Sequence, residues 1–190
     1  MLLFASITDG GSENRKLEVD DTLISRISEG DKEAFTALYK LTAQSIYAYA
    51  LSILKNPEDA EDVLQDTFLK IRSAAHLYKP QGKLLAWILT ISKNLCMMKL
   101  RRRKYLSPSP FEEISVKSVM NNIDDIEDQL VLTTALNILN DDECQIIILH
   151  AVTGWKHREI ADLLHLPVST VLSKYHRGLK KLKTELEGKI

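Results

Sequence analysis

Five positive side chains, Lys174, Arg177, Lys180, Lys181 and Lys183, fall within ten residues near the C-terminal end, with no acid among them. Cations at that spacing line one flank of a helix and suit the neutralisation of phosphates along a nucleic acid. Just ahead of them, Ser169, Thr170 and Ser173 offer hydroxyls to base edges or phosphates, and His176 adds a ring. A second block, Lys93 to Lys104, is also free of acids, and six of its twelve residues are Lys or Arg. Both patterns point to binding chemistry. The groups that could catalyse, His150, His157, Glu159 and Asp162, fall on ordinary helix faces. His157-Arg158-Glu159 has no second histidine four residues after the first, so the zinc-protease pattern is absent. No nucleophile, base and orienting group converge by spacing.

The elements that position the first cluster read as two short helices and a tight turn. Ile160, Ala161, Leu163 and Leu164 share a face over His157 to Leu164, and His165-Leu166-Pro167 stops that helix because proline cannot continue the backbone ladder. From Val168 onward Val171, Leu172, Tyr175, Leu179 and Leu182 recur at three- and four-residue spacing, with the cations opposite. A basic helix after a turn suits a DNA major groove.

The 190 residues are 45% hydrophobic and 27% charged, ordinary for a globular chain of one large or two small domains. No apolar run approaches the ~18 to 20 residues of a membrane helix, and the opening Met1 to Ile7 lacks the basic flank of a secretory signal, so no membrane span and a cytoplasmic location are expected. Cys96 and Cys144 stand far apart without a Cys-x-x-Cys pair and read as core thiols; neither a metal nor a cofactor is expected. The formal charge of −1 conceals a division. Residues 20 to 104 carry 14 Lys and Arg against 10 Asp and Glu, residues 105 to 128 one against six, and residues 129 to 190 eight against seven. Local basic patches, not the total, set a binding field.

Helical periodicity dominates, and no strand-like alternation occurs. Residues 1 to 19, aperiodic and holding Gly10-Gly11-Ser12, read as a flexible tail. Leu23, Ile24 and Ile27 mark a short helix closed by Gly30, and Asp31 caps the next, which carries Phe35, Leu38, Tyr39, Ile46, Tyr49, Ala50, Ile53 and Leu54 inward. Asn56-Pro57 opens a third helix running to about His76, with Ala60, Val63, Leu64, Phe68 and Ile71 inward and Asp62, Gln65, Asp66 and Lys70 outward. After the turn Tyr78 to Gly82, a fourth helix, Lys83 to Lys104, points Leu84, Trp87, Ile88, Ile91, Leu95 and Met98 inward. Ser107-Pro108-Ser109-Pro110 breaks it, and residues 105 to 128 form an acidic linker. Leu130 to Leu139 is amphipathic. Asn140 with Glu143 resembles a capping box, and Gly154 ends the helix that follows. The expectation is an all-α chain of two helical domains, 20 to 104 and 129 to 190, the second holding a helix-turn-helix.

This order resembles the bacterial extracytoplasmic-function, or group 4, sigma factors of RNA polymerase, in their regions two and four only. Residues 31 to 39, DKEAFTALY, and 59 to 71, DAEDVLQDTFLKI, resemble the opening of region two and its polymerase-binding helix. AWILTISKNL at 86 to 95 resembles the promoter-melting helix, and REIADLLHLPVSTV with SKYHRGLKKL resembles region four. The likeness covers about residues 20 to 187. It implies a sigma factor without catalysis of its own, which binds core RNA polymerase through its two largest subunits and directs recognition and opening of promoter DNA, leaving room for an anti-sigma partner.

By that resemblance Asp59, Asp62, Gln65 and Asp66 would meet the polymerase clamp, and the second domain its flap tip. His76, Tyr78, Lys83, Lys93, Asn94, Arg101, Arg102 and Arg103 would handle melted single-stranded promoter DNA. Ser169, Thr170, Ser173, Lys174, His176, Arg177 and Lys180 would recognise duplex DNA. Tyr78 either stacks on a base or anchors its loop, whereas Trp87 at its inward spacing reads as core. Members of the family commonly carry cations where this chain has Leu85, Thr90 and Leu172, so two charges in the melting helix and one in the groove-facing helix are missing.

Three other readings explain less. A stand-alone helix-turn-helix regulator would leave the basic fourth helix and the acidic stripe on the third without a role. A hydrolase lacks a convergent site. An anti-sigma mimic would be expected to carry a histidine and cysteine zinc motif, which is missing.

Overall fold

The computed structural model describes residues 16–106 and 126–187, and among these the chain is helical with no strand. It divides into two compact units, one within Glu18–Ser109, the other within Pro110–Ile190 joined by the segment that ends at Leu17. The tail expected over residues 1 to 19 lies outside the described residues up to 15, but Lys16 and Leu17 are held. The Leu17 N–H donates to the Thr153 carbonyl at 2.8 Å, one of the acceptors a helix end leaves unfilled, and Lys16 pairs with Glu159 at 2.7 Å. The linker expected over 105 to 128 is outside the described residues from 107 to 125. Its two ends are the last turn of one helix and the first of another.

The first unit contains α1 (Asp21–Ser28), α2 (Lys32–Leu54), α3 (Pro57–Ala74), a single 3-10 turn (Ala75–Leu77) and α4 (Leu84–Leu106). Each start has a local cause. Asp20 accepts the Thr22 N–H at 2.8 Å, Asp31 that of Ala34 at 2.9 Å, and Asn56 that of Asp59 at 2.8 Å, with Pro57 following as the sequence implied. The Ala34 N–H and then the Arg26 guanidinium hold the Asp31 carboxyl down to about 2. Helix α2 packs against α1, α3 and α4 and is buried on every side from Ser45 to Ser52.

Two inward assignments on the long helices are corrected by the packing. Tyr39 is 44% exposed, its ring resting on Phe68 at 4.8 Å, and Met98 is 57% exposed. On α4 the buried positions are Leu84, Leu85, Ile88, Leu89, Ser92 and Cys96, a stripe one residue round from the one expected, which leaves Trp87 only half-buried. Both thiols are buried as expected, and burial pushes Cys96 up to about 12, which makes it inert.

The second unit contains α5 (Ile126–Ile138), α6 (Asp141–Thr153), α7 (His157–Leu164) and α8 (Val168–Glu187). The capping box at Asn140 and Glu143 is present, and Gly154 at φ +64° ends α6 in the left-handed conformation that glycine adopts without strain. Helix α8 crosses α6 so closely that a Cβ at Gly178 would lie 2.6 Å from Ile147 Cδ1. That crossing accounts for a glycine inside a helix, where it ordinarily costs about 1 kcal/mol relative to alanine. Where α6, α7 and α8 meet, the His150 and His157 rings stack at 5.1 Å and both stand edge-on to Tyr175. His157 Nε2 is buried without a partner, and desolvation first, then the fields of His150 and His176, lower its pKa below the usual 6.5.

Gly178→Ala is expected to destabilise the second unit by about 1–3 kcal/mol through overpacking, and Ile147→Val, which deletes the facing methyl, to make the double substitution milder than the sum of the two. Thermal melting of the four proteins decides it; a Gly178→Ala protein at least as stable as the parent would rule out so close a crossing. The histidine cluster sets a pH dependence. A lowered folded-state pKa means that the unfolded chain binds the proton more readily, so the stabilising effect is present above about 6.5 and fades as pH falls through the lower folded value. Melts between pH 5.5 and 7.5 should show a decline toward acid that His157→Phe flattens. An unchanged pH slope in that variant would assign the effect elsewhere.

Candidate nucleic-acid and polymerase interfaces

Three surfaces emerge where the sequence placed its candidate residues. On α3 the apolar residues Ala60, Val63, Leu64, Phe68 and Ile71 turn inward together with Thr67, and the same periodicity exposes Asp62, Gln65 and Asp66 on one stripe. Asp59 is half-buried at its edge. The acids are not all unpaired: Lys99, reaching from α4, meets Asp59 at 2.6 Å and Asp62 at 2.9 Å. Partial burial pulls the Lys99 ammonium down, and the two carboxylates outweigh that and hold it above its ordinary value. The contact joins residues 40 and 37 positions apart, so no local pattern reveals it.

The second surface is an open cleft of about 380 Å³ between the loop after the 3-10 turn and α4, lined by Leu77, Tyr78, Gln81, Lys83, Trp87 and Thr90 among others. The Tyr78 and Trp87 rings meet in it at 5.2 Å, tilted by 54°. Trp87 therefore belongs to the cleft wall as well as to the helix packing, which corrects its reading as core. Leu85 is 5% exposed, so the chain buries an apolar side chain at a position where family members commonly carry a cation, while Thr90 is exposed and bonds back to the Ala86 carbonyl at 2.7 Å. Lys83, His76 and Asn94 are exposed, as are Arg101 and Arg102, whereas Arg103 is half-buried. Lys93 is partly buried, which lowers its pKa.

The third surface is the exposed flank of α8, where Ser169, Leu172, Ser173, His176, Arg177 and Lys180 succeed one another at helical spacing and Thr170 is half-buried. Leu172 is 38% exposed rather than part of the inward stripe, which consists of Val171, Leu182 and Leu186 with Tyr175 and Leu179 at its edges. The Ser173 hydroxyl donates to the Ser169 carbonyl at 2.9 Å. The acidic start of α6 engages part of the basic cluster. Lys174 pairs with Asp142 at 2.8 Å, Lys181 with the fully buried Glu143 at 2.7 Å, and Arg177 lies 3.9 Å from Glu143 while remaining 61% exposed. A run of cations without acids in sequence thus has acids in space. Among the described residues no group of His, Cys, Asp and Glu could hold a metal, and no helix is long and apolar enough to cross a membrane.

Known proteins resemble the chain in both of its units. The family model of sigma-70 region 2 matches residues 38–105 and that of sigma-70 region 4 matches residues 129–182. The chain is 28% identical to the RNA polymerase sigma factor CarQ of Myxococcus xanthus, covering 87% of this chain and 95% of that protein. It is 25% identical to the extracytoplasmic-function sigma factor SigW of Bacillus subtilis strain 168, covering 86% and 94% respectively. Solved structures share the fold: CnrH in complex with the cytosolic domain of CnrY aligns with a TM-score of 0.62 at 22% identity over 89% of this chain and 97% of that one. Sigma factor RpoE of Bartonella quintana, in complex with the anti-sigma factor NepR, aligns at 0.60 and 23% identity over 80% and 96%. Two helical units, matched in order by the two sigma-70 regions, place this chain in the extracytoplasmic-function sigma factor family, whose members direct RNA polymerase to promoters for transcription initiation.

Proposed function

We propose that the unit of residues 20 to 104 performs both polymerase attachment and strand capture, and that the unit of residues 129 to 190 reads duplex promoter DNA. The observation that carries this reading is the cleft walled by Tyr78 and Trp87, open to solvent and bordered by Lys83. A base leaving the duplex needs a π surface and a pocket, with cations nearby for its phosphates. The cleft offers the first two, and Arg101, Arg102 and Lys104, exposed toward the end of α4, supply charge along the strand. Asp62, Gln65 and Asp66 serve as the clamp contact. Ser169, Ser173 and His176 face the major groove, with Lys180 and Arg177 on phosphates. The protein acts in the cytoplasm, has no catalytic step or cofactor of its own, and is held in check by an anti-sigma partner. Support for the last point is that both structural relatives described above were solved as complexes, RpoE explicitly with an anti-sigma factor. A stand-alone regulator would give the cleft and the α3 stripe nothing to do.

Two experiments test the assignment. Base stacking on an aromatic ring is worth about 1–3 kcal/mol, so Trp87→Ala in the assembled holoenzyme should weaken binding of a single-stranded promoter oligonucleotide about tenfold or more. Unaltered affinity would remove the cleft from the mechanism. On α3, Asp62→Lys with Asp66→Lys replaces attraction by repulsion toward a basic partner and should cost about 3 kcal/mol or more of polymerase affinity. Co-purification of that variant with core enzyme at the parent level, with unchanged helicity, would place the docking surface elsewhere.

A further inference from the structure

The cleft loop is tied to a helix far from it in the chain. Asp21, in the first turn of α1, spends neither carboxylate oxygen on its own helix, because Asp20 is the residue that caps α1. Its Oδ1 instead accepts the Tyr78 hydroxyl at 3.0 Å, and its Oδ2 accepts the Gly82 N–H at 2.7 Å. The Tyr78 oxygen in turn accepts the Lys83 N–H at 3.3 Å, just ahead of the first residue of α4. Gly82 sits at φ +65°, in the left-handed region, so the backbone turns sharply at the point where its N–H meets the carboxylate. Both ends of the loop, Tyr78 and Gly82, thus close on a single side chain 57 and 61 residues away.

We propose that Asp21 is a positioning residue for strand capture, a latch that holds the Tyr78–Lys83 loop in its base-accepting shape before DNA arrives. This rests on the cleft being the site of capture. The physical need is definite. A loop of exposed polar residues would otherwise sample many shapes, and the cost of ordering it would be subtracted from the affinity for each captured base. With the latch closed, the ring of Tyr78 is set against Trp87 by its hydroxyl rather than by packing alone, so Tyr78 acts as a wall of the cleft and leaves the stacking face to Trp87. Partial burial and then the Asp21 bond raise the Tyr78 pKa above its ordinary value.

The latch predicts a pattern that a stacking role for Tyr78 does not. Tyr78→Phe keeps the ring and removes only the hydroxyl, while Asp21→Ala removes the carboxylate and leaves the Asp20 cap in place. The full chain carrying each change, both together, or Trp87→Ala is assembled with core polymerase, and binding of a single-stranded promoter oligonucleotide is measured beside core affinity and melting. Asp21→Ala and Tyr78→Phe should each lose about tenfold in oligonucleotide affinity, the double variant should lose little more than either, and core affinity should stay at the parent level. Loss of affinity in Trp87→Ala with parent-level binding by Tyr78→Phe would overturn the latch and leave the cleft standing. Additive losses in the double variant would overturn it as well. Parent-level binding by all variants, Trp87→Ala included, would overturn the cleft and the latch together.

Discussion

Helix α2 has no solvent-facing side between Ser45 and Ser52, and the first unit is organised around that fact. A helix buried all round must be wrapped by neighbours on every flank, and α1, α3 and α4 are those neighbours. Each has then one face committed inward and one left over. The leftover face of α3 is the acidic stripe, that of α4 is basic toward its end, and the N-terminus of α1 is left beside the loop that α4 follows. The candidate surfaces of the first unit are thus the outer sides of the helices that enclose α2. Two of its buried hydroxyls are answered within the helix, Thr42 donating to the Leu38 carbonyl and Ser52 to that of Tyr49, while the Tyr49 hydroxyl is buried without a hydrogen-bond partner.

The second unit solves a different problem with a closer contact. Helix α8 keeps a polar flank exposed while packing on α6, and its crossing is tight enough to require Gly178. At the same crossing the fully buried Glu143 is reached by Lys181, and Asp142 by Lys174. A buried carboxylate left without that ammonium would carry a desolvation penalty, so part of the positive charge on α8 is needed by the fold itself. What remains for phosphates is a smaller share than the sequence suggests.

Element starts and stops were legible because their causes are local: Asp31, Asn56 with Pro57, the Asn140 and Glu143 box and Gly154 each act within four residues. Both helical units and the turn before α8 followed from periodicity for the same reason. Periodicity misled where a helix has more than one apolar face. On α4 two adjacent stripes compete, and Leu85 and Leu89 went inside while Met98 stayed out; on α8 Leu172 was grouped with the core it flanks. The long-range polar contacts were illegible in principle. Nothing near Asp21 announces Tyr78, and nothing near Lys99 announces Asp59 and Asp62.

Lys99 has a bearing on how such a chain can diverge. It belongs to the helix assigned to promoter opening, and its two partners belong to the helix assigned to polymerase attachment. A neutral residue at 99 would raise the negative charge that α3 displays and loosen α3 from α4 in the same step. Replacing Asp59 or Asp62 would in turn leave the Lys99 ammonium with one carboxylate in place of two. The two proposed surfaces share one ammonium group, so a change at Asp59, Asp62 or Lys99 that alters one of them is felt at the other.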